Sequence, residues 1–235
     1  MIKEIIIAPM ESEEKAVLVH QRLQAAFGNP TWRNPLPPLD ELISTILSQN
    51  TNDLNRDRAF EALRSRFPTW EAVRDSDVKA VIDAIRPAGL ANQKGPRIQN
   101  VLREITAQRD DLSLDFLAEL SVEEAREWLM SFKGVGPKTA AIVLLFSLGK
   151  PAFPVDTHVH RVTGRLGLRP EKMNADQSHD YLSNLFPTQA YYAAHLNLIR
   201  LGREVCHARN PECYRCPLND LCDFYLRQPH SRNNL

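Results

Sequence analysis

Two glycines one residue apart, set between two segments with strong helical signals, limit what this chain can fold into. Residues 121–132 open with the Ser-x-x-Glu spacing of a capping box, which predicts a helix up to the glycines. Residues 137–148 open with proline and continue as an apolar run that stops at Gly149. Gly134 and Gly136 therefore lie in a short connection, and the pattern predicts a helix-hairpin-helix.

The glycines of this connection also suggest a ligand. Without β-carbons the turn can be tight, and backbone N–H groups beside a helix N-terminus form a seat for phosphate. Lysine and arginine outnumber acidic residues six to one between positions 131 and 170. We expect Gly134, Val135, Gly136 and Thr139 to contact a nucleic-acid backbone, although an ordinary corner between two helices has the same local pattern.

The composition excludes several classes of protein. The chain has 235 residues, of which 43% are hydrophobic and 25% charged, as in globular proteins. The formal net charge is zero, so a nucleic acid must be bound by a local basic patch. The charged N-terminus does not fit a signal peptide, and no apolar run approaches the roughly 20 residues of a membrane span. We expect a cytoplasmic, nucleoid-associated protein without membrane contact.

Helical periodicity dominates the rest of the chain. Residues 39–47 have apolar side chains at the spacing of an amphipathic helix, and another helix is expected over 98–107. Ser12 and Asp176 are candidate N-caps. Residues 5–7 give the only strand-like run, so the fold class is predicted to be all-α.

Four cysteines close to the C-terminus form a candidate metal site with the spacing C-x6-C-x2-C-x5-C: Cys206, Cys213, Cys216 and Cys222. Four thiolates in 17 residues suit either zinc or an iron–sulfur cluster. Only one close pair is present, and the wide outer spacings favour a cluster over a single zinc ion.

Three motifs together resemble one family. They are GVGxKTA at 134–140, VDTH at 155–158 and the cysteine spacing at 206–222. In this combination and order they are similar to endonuclease III, a DNA glycosylase/AP lyase family of the helix-hairpin-helix glycosylase superfamily. The resemblance covers about residues 39 to 222.

The resemblance implies a domain organisation, a cofactor and a partner. It implies two helical lobes with a DNA cleft between them. One is a six-helix barrel at 37–149; the other combines the N-terminal segment 1–36 with residues 150–235 and carries a [4Fe–4S] cluster. The implied partner is double-stranded DNA that contains damaged bases or abasic sites. We expect the protein to be a monomer.

The resemblance also assigns the chemistry. Lys138 would attack the sugar C1′ of a nucleotide flipped out of the duplex, form a Schiff base and cut the strand on the 3′ side by β-elimination. Asp156 would activate Lys138 and balance the positive charge that develops on the sugar. On the residues alone, a lysine in the place of Lys138 is usually a phosphate contact, and an aspartate in the place of Asp156 is usually only a helix N-cap.

Further residues match the family less specifically. Gln49 would fill the space left by the flipped nucleotide, Leu90 would wedge into the base stack, and His158 would shape the site. Arg209 and Arg215 would contact phosphate from the cysteine loop. The alternatives are a polar helix end for Gln49, a core position for Leu90 and a structural hydrogen bond for His158.

Two other functions fit many of the same features. One is a monofunctional mismatch or uracil DNA glycosylase of the same superfamily, which commonly lacks a lysine at the position of Lys138. The other is a non-enzymatic iron–sulfur protein that binds DNA. Both predict that no covalent adduct forms with an abasic site.

Overall fold

The described residues of this chain fold entirely into helices and connecting turns. The structure, a computed structural model, describes residues 11–32 and 34–228, and no strand occurs in these ranges. The all-α prediction is thereby confirmed. The strand-like run 5–7 lies outside the described residues, as does the start of the predicted segment 1–36. Within the described ranges, no helix combines the length and the apolar character needed to cross a membrane.

The chain divides into two compact units, one formed by Met1–Thr31 with Val155–Leu235 and the other by Trp32–Pro154. The sequence-based boundaries lie five residues from these, at 36/37 and 149/150. The α-helices of the described residues are, in chain order, α1 (Ser12–Phe27), α2 (Pro38–Ser48), α3 (Asp53–Arg66), α4 (Trp70–Asp75), α5 (Val78–Ala84), α6 (Ala91–Arg109), α7 (Val122–Met130), α8 (Pro137–Phe146), α9 (Thr157–Leu166), α10 (Ala175–Leu185), α11 (Tyr191–Glu204) and α12 (Asp223–Leu226).

Two helix starts that matter for function follow the local sequence. Helix α7 begins with the predicted capping box. The Ser121 N–H donates to the Glu124 carboxylate, and the Glu124 N–H donates to the Ser121 hydroxyl. Helix α9 begins after Asp156, whose Oδ1 accepts a hydrogen bond from the Val159 N–H at 2.7 Å. A carboxylate at this position satisfies an N–H group that the helix itself leaves unpaired.

Two other predicted caps were wrong. Glu11 precedes α1, and Ser12 is its first helical residue, with no side-chain capping bond. Asn174 caps α10 by accepting from the Gln177 N–H at 2.9 Å, while Asp176 lies inside the first turn. At α10 the neighbouring Asn174 offered an equally good local signal, so the sequence pattern could not separate it from Asp176.

Helix α6 begins seven residues before the predicted start at 98. Gly95 and Pro96 lie within its first two turns, where they suggest a break in the sequence. A β-carbon at Gly95 would lie 2.7 Å from Ile82 Cγ1, so the glycine lets α6 pack closely on α5.

The unit 32–154 is built around one buried apolar core to which α2 through α8 contribute. Helix α2 is buried along most of its length, including Leu42 and Ile46, and packs against α8. Helix α8 is in turn packed against α7. This packing fixes the connection between α7 and α8, which contains the two glycines.

The other unit is organised around α11, which packs against both α1 and α9. Two ion pairs join the N-terminal helix to the residues around the last cysteine. Lys15 Nζ lies 2.7 Å from Asp223 Oδ1, and Arg22 lies 2.5 Å from Asp220 Oδ1. Helix α1 is therefore part of the same unit as the cysteine loop.

Candidate nucleic-acid interface and cluster site

The two glycines of the hairpin have different roles. Gly134 has φ +90°, a left-handed conformation that side chains rarely adopt, and the turn is closed by a hydrogen bond from the Val135 N–H to the Phe132 carbonyl at 3.0 Å. Gly136 has φ −104° and precedes α8 as its N-cap, with no side-chain capping bond. The first turn of α8 thus begins without an internal side-chain acceptor, which suits an external anion.

Only some residues of the hairpin motif are accessible to a ligand. Lys133 and Gly134 are exposed and Lys138 is half-buried, whereas Val135 and Thr139 are buried. Lys138 is the second residue of α8. It is therefore held on a packed helix beside the open turn. The Thr139 side chain is buried within the unit and is not accessible to a ligand.

Gln49 joins the hairpin through a small network. At the end of α2, its Nε2 donates to the Gly134 carbonyl at 3.3 Å, and its Oε1 accepts from the Arg97 guanidinium at 2.6 Å. A β-carbon at Gly134 would lie 2.6 Å from Arg97 Cδ. Gln49, Arg97 and Gly134 thus form one contact group in the unit 32–154, in which Arg97 was not anticipated from the sequence.

Leu90 occupies a strained and exposed position. It directly precedes α6 with φ +49° and ψ 29°, in the left-handed region, and 46% of its surface is exposed. Such a conformation is costly for leucine and is found where surrounding structure holds it. The alternative of a core leucine does not describe this position.

Asp156 and His158 lie on the first turn of α9. Asp156 is half-buried and caps the helix. His158 Nδ1 lies 3.1 Å from the Arg161 guanidinium, and burial lowers the pKa of His158. A β-carbon at Gly202 would lie 2.9 Å from His158 Nδ1, so the ring packs against α11. These contacts favour the structural role for His158. Lys138 and Asp156 belong to different units, and their approach to one another stays a prediction.

The four cysteines line one cavity, together with Arg165, Phe224 and neighbouring residues. Cys222 is buried and the other three are half-buried. Burial raises the pKa of Cys216 to about 11 and also raises the pKa of Cys213 and Cys222. Thiols in such a pocket are stabilised as thiolates by a bound metal centre, which is the chemistry of a cluster ligand set.

A cluster spans a larger space than one ion does. All four cysteines contribute to the lining of one common cavity. This arrangement fits a cluster bound by four thiolates.

Two arginines of α9 form hydrogen bonds with the cysteine loop. Arg165 donates to Cys206 Sγ at 3.2 Å and to the His207 carbonyl at 2.7 Å, and its guanidinium lies 4.8 Å from the Phe224 ring. Arg161 donates to the Cys206 carbonyl at 3.1 Å. The sequence had grouped both arginines with a basic band for phosphate. Their i, i+4 spacing on α9 was the only local hint of a shared face.

The two arginines predicted to contact phosphate differ in their surroundings. Arg209 is exposed. Arg215 forms an ion pair with Glu212 and donates to the Glu204 carbonyl at 2.5 Å, so it also stabilises the loop. Contact of either residue with DNA stays a prediction.

Two family models match this chain. Residues 43–188 match the HhH-GPD superfamily of base excision DNA repair proteins, and residues 206–222 match the iron–sulfur binding domain of endonuclease III. The second match begins and ends at the outer cysteines of the loop. The predicted [4Fe–4S] cluster is thereby confirmed as the cofactor of this segment.

Individual relatives agree with the family models. Endonuclease III of Sulfolobus acidocaldarius is 35% identical over 187 residues, which cover 79% of this chain and 81% of the relative. A protein of Arabidopsis thaliana that bears the name of a DNA glycosylase is 39% identical over 165 residues, 70% of this chain and 56% of its own length. A solved structure of a trapped endonuclease III–DNA covalent intermediate superposes with a TM-score of 0.78 at 26% identity, covering 92% of this chain and 98% of that one. The chain belongs to the endonuclease III family of DNA glycosylase/AP lyases, within the HhH-GPD superfamily of base excision DNA repair proteins.

Proposed function

We propose that this protein removes damaged bases, oxidised pyrimidines in particular, from double-stranded DNA and cuts the strand 3′ to the resulting abasic site. One observation carries the proposal. Lys138 lies in the first turn of α8, half-buried, directly after the open Gly134–Gly136 turn of a chain in the endonuclease III family. This location of an amine, on a packed helix beside an open turn, supports a role in chemistry on the sugar of a bound strand.

In the proposed reaction, the neutral amine of Lys138 attacks C1′ of a flipped nucleotide. The glycosidic C–N bond breaks, and the base leaves with a proton. The C1′–O4′ bond then breaks, O4′ takes up a proton from water, and the opened sugar is left as a protonated imine between Lys138 and C1′. Loss of a C2′ proton then expels the 3′ phosphate by β-elimination, and water hydrolyses the imine to regenerate the free lysine.

Asp156 would serve this reaction as a charged partner. Its Oδ1 accepts the Val159 N–H at 2.7 Å, a bond that holds the carboxyl group at the N-terminus of α9. An ionised carboxylate near C1′ stabilises the positive charge that the sugar develops as the base departs. The proposal requires that Asp156 and Lys138 reach the same nucleotide.

The cluster has a structural role in this proposal. Cys206, Cys213, Cys216 and Cys222 would hold it, and when bound it would join four points of a loop whose two 3-10 turns contain no buried residue. The exposed Arg209 lies on that loop and would face phosphate. We expect the protein to act as a monomer on nucleoid DNA, which size-exclusion chromatography with and without a duplex and fluorescence imaging of a tagged chain would test.

The decisive experiment is borohydride trapping. Purified protein is mixed with a duplex that contains one abasic site, and sodium borohydride reduces any imine to a stable adduct. We expect an adduct with the natural chain and with Lys133→Gln, and none with Lys138→Gln. Lys133 is the matched control because it is an exposed lysine of the same hairpin.

Two results would contradict the proposal. An adduct that persists in Lys138→Gln would assign the covalent step to another amine. Absence of an adduct with the natural chain, while it releases a base from a damaged duplex, would make the protein a monofunctional glycosylase. A panel of duplexes with oxidised pyrimidines, uracil or mismatches, scored separately for base release and strand cutting, identifies the substrate.

A further inference from the structure

A fully buried lysine outside the proposed reaction lies at the centre of the unit 32–154. Lys94, in the first turn of α6, is 1% exposed. Its Nζ donates to the Leu47 carbonyl at 2.7 Å and to the Ala88 carbonyl at 2.8 Å. Among the described residues no carboxylate forms an ion pair with it, and burial lowers its pKa.

The acceptors of this ammonium group explain how it can be buried. Leu47 lies in the last turn of α2, where carbonyls lack an N–H partner from the helix, since the Thr51 N–H donates to the Ser48 carbonyl instead. Ala88 ends the 3-10 turn Arg86–Ala88. A cation at the C-terminus of α2 is favoured by the dipole of that helix, and the Ala88 carbonyl supplies a second acceptor; together they offset part of the cost of removing the cation from water.

Each acceptor carbonyl precedes a strained residue. Asn50 follows Leu47 by three positions with φ +54°, and Leu90 follows Ala88 by two positions with φ +49°. The backbone of Lys94 also donates to the Leu90 carbonyl at 3.0 Å. One side chain therefore joins the segment that carries Gln49 to the segment that carries Leu90.

We propose that Lys94 is a positioning residue that fixes the Gln49 and Leu90 segments to one another, so that both enter the duplex together when a nucleotide is flipped out. The inference rests on the proposed function and on the roles that the family resemblance implies for two residues: Gln49 would fill the space of the lost nucleotide, and Leu90 would enter the base stack. Lys94 touches neither DNA nor the reacting atoms. Its effect is confined to the step in which the base leaves the stack.

The test compares a substrate that requires base extrusion with one that does not. The first is a duplex with one oxidised pyrimidine, assayed for base release. The second is single-stranded DNA with an abasic site, assayed for strand cutting. The variants are Lys94→Met, which keeps the chain length without charge or donor, and Lys150→Met as the matched control. Lys150 Nζ donates to the Leu120 carbonyl at 2.5 Å, in the same unit but away from Gln49 and Leu90.

We expect Lys94→Met to lower kcat/KM on the duplex by about tenfold or more relative to its effect on the single strand. Lys150→Met should change both substrates by the same factor. Because a general loss of folded protein reduces both activities equally, the ratio separates positioning from stability. The double variant Lys94→Met/Leu90→Ala should lose little more duplex activity than Leu90→Ala alone, since both changes disable one step.

Each outcome bears on the inference. Equal losses on both substrates in Lys94→Met would overturn it and leave Lys94 as a stabilising residue only. If Lys94→Met does not fold, Lys94→Gln retains a donor without charge, and its ratio decides the question in the same way. A natural chain inactive on both substrates would refute the proposed function instead, which distinguishes the two failures.

Discussion

The substitutions Gly134→Ser and Gly136→Ser should differ in their effect on the free energy of unfolding, although the two glycines are equivalent in the motif. Gly134 has φ +90°, and a β-carbon there would lie 2.6 Å from Arg97 Cδ. Gly136 has φ −104°, an extended conformation open to any residue, and a β-carbon there would have no atom within 4 Å. The backbone conformation therefore disfavours a side chain at Gly134 only, and a side chain there would also displace the guanidinium end of Arg97.

The magnitude follows from these contacts. A left-handed conformation costs a non-glycine residue about 1–2 kcal/mol. Displacing Arg97 also weakens its 2.6 Å bond to Gln49, for which about 1 kcal/mol is reasonable at a half-buried site. The free energy of unfolding should fall by about 2–3 kcal/mol in Gly134→Ser, which lowers Tm by roughly 4–12 °C for a chain of this size.

Gly136→Ser serves as the matched control. Serine is a better N-cap than glycine, and its side chain can accept from the first turn of α8. We expect its Tm to stay within about 2 °C of the natural chain or to rise. Thermal unfolding followed by circular dichroism measures both variants. Equal destabilisation of the two would show that the hairpin is not held as described, and the network of Gln49, Arg97 and Gly134 would lose its support.

Three further results are expected. Asp156→Asn keeps an N-cap side chain, so the free energy of unfolding, measured by thermal unfolding, should change by less than about 1 kcal/mol. The rate of strand cutting, measured by single-turnover kinetics, should fall at least a hundredfold. Cys213→Ser should lose the visible absorption of the cluster, solubility and DNA affinity together; retention of the last two would argue against a structural role. Burial lowers the pKa of His158, so protonation opposes folding and stability should fall as pH drops below about 6.5; a His158→Asn variant should lose less stability in urea titrations between pH 7 and 5.

The parts of the site predictable from sequence are those built from neighbouring residues. The capping box at Ser121, the N-cap at Asp156 and the spacing of the cysteines each depend on fewer than about twenty residues, and periodicity alone gave the all-α class. The two glycines show the limit of such reasoning. The motif treats both as necessary for a tight turn, yet only Gly134 needs the missing β-carbon, because the neighbour that excludes it, Arg97, is distant in sequence.

The residues that sequence reasoning missed have partners far along the chain. The Lys94 ammonium group reaches Leu47, 47 positions away, and Arg165 reaches Cys206, 41 positions away. A lysine or arginine on a helix carries no local sign that it will be buried or that it will donate to a backbone carbonyl. Such roles depend on which helix ends meet in the fold, and local patterns do not encode that.

In the proposed reaction, helix α9 connects the cysteine loop to Asp156. Its N-terminus is capped by Asp156, and its later turns hold the loop through Arg161 and Arg165, both of which bond to Cys206. A helix of ten residues transmits a change at one end to the other as a nearly rigid rod. Disorder in the loop would remove partners from both arginines and release the end of α9 that bears the carboxylate. Loss of the cluster should therefore impair the reaction even if the cluster exchanges no electrons with DNA, because it sets the position of the helix on which Asp156 stands.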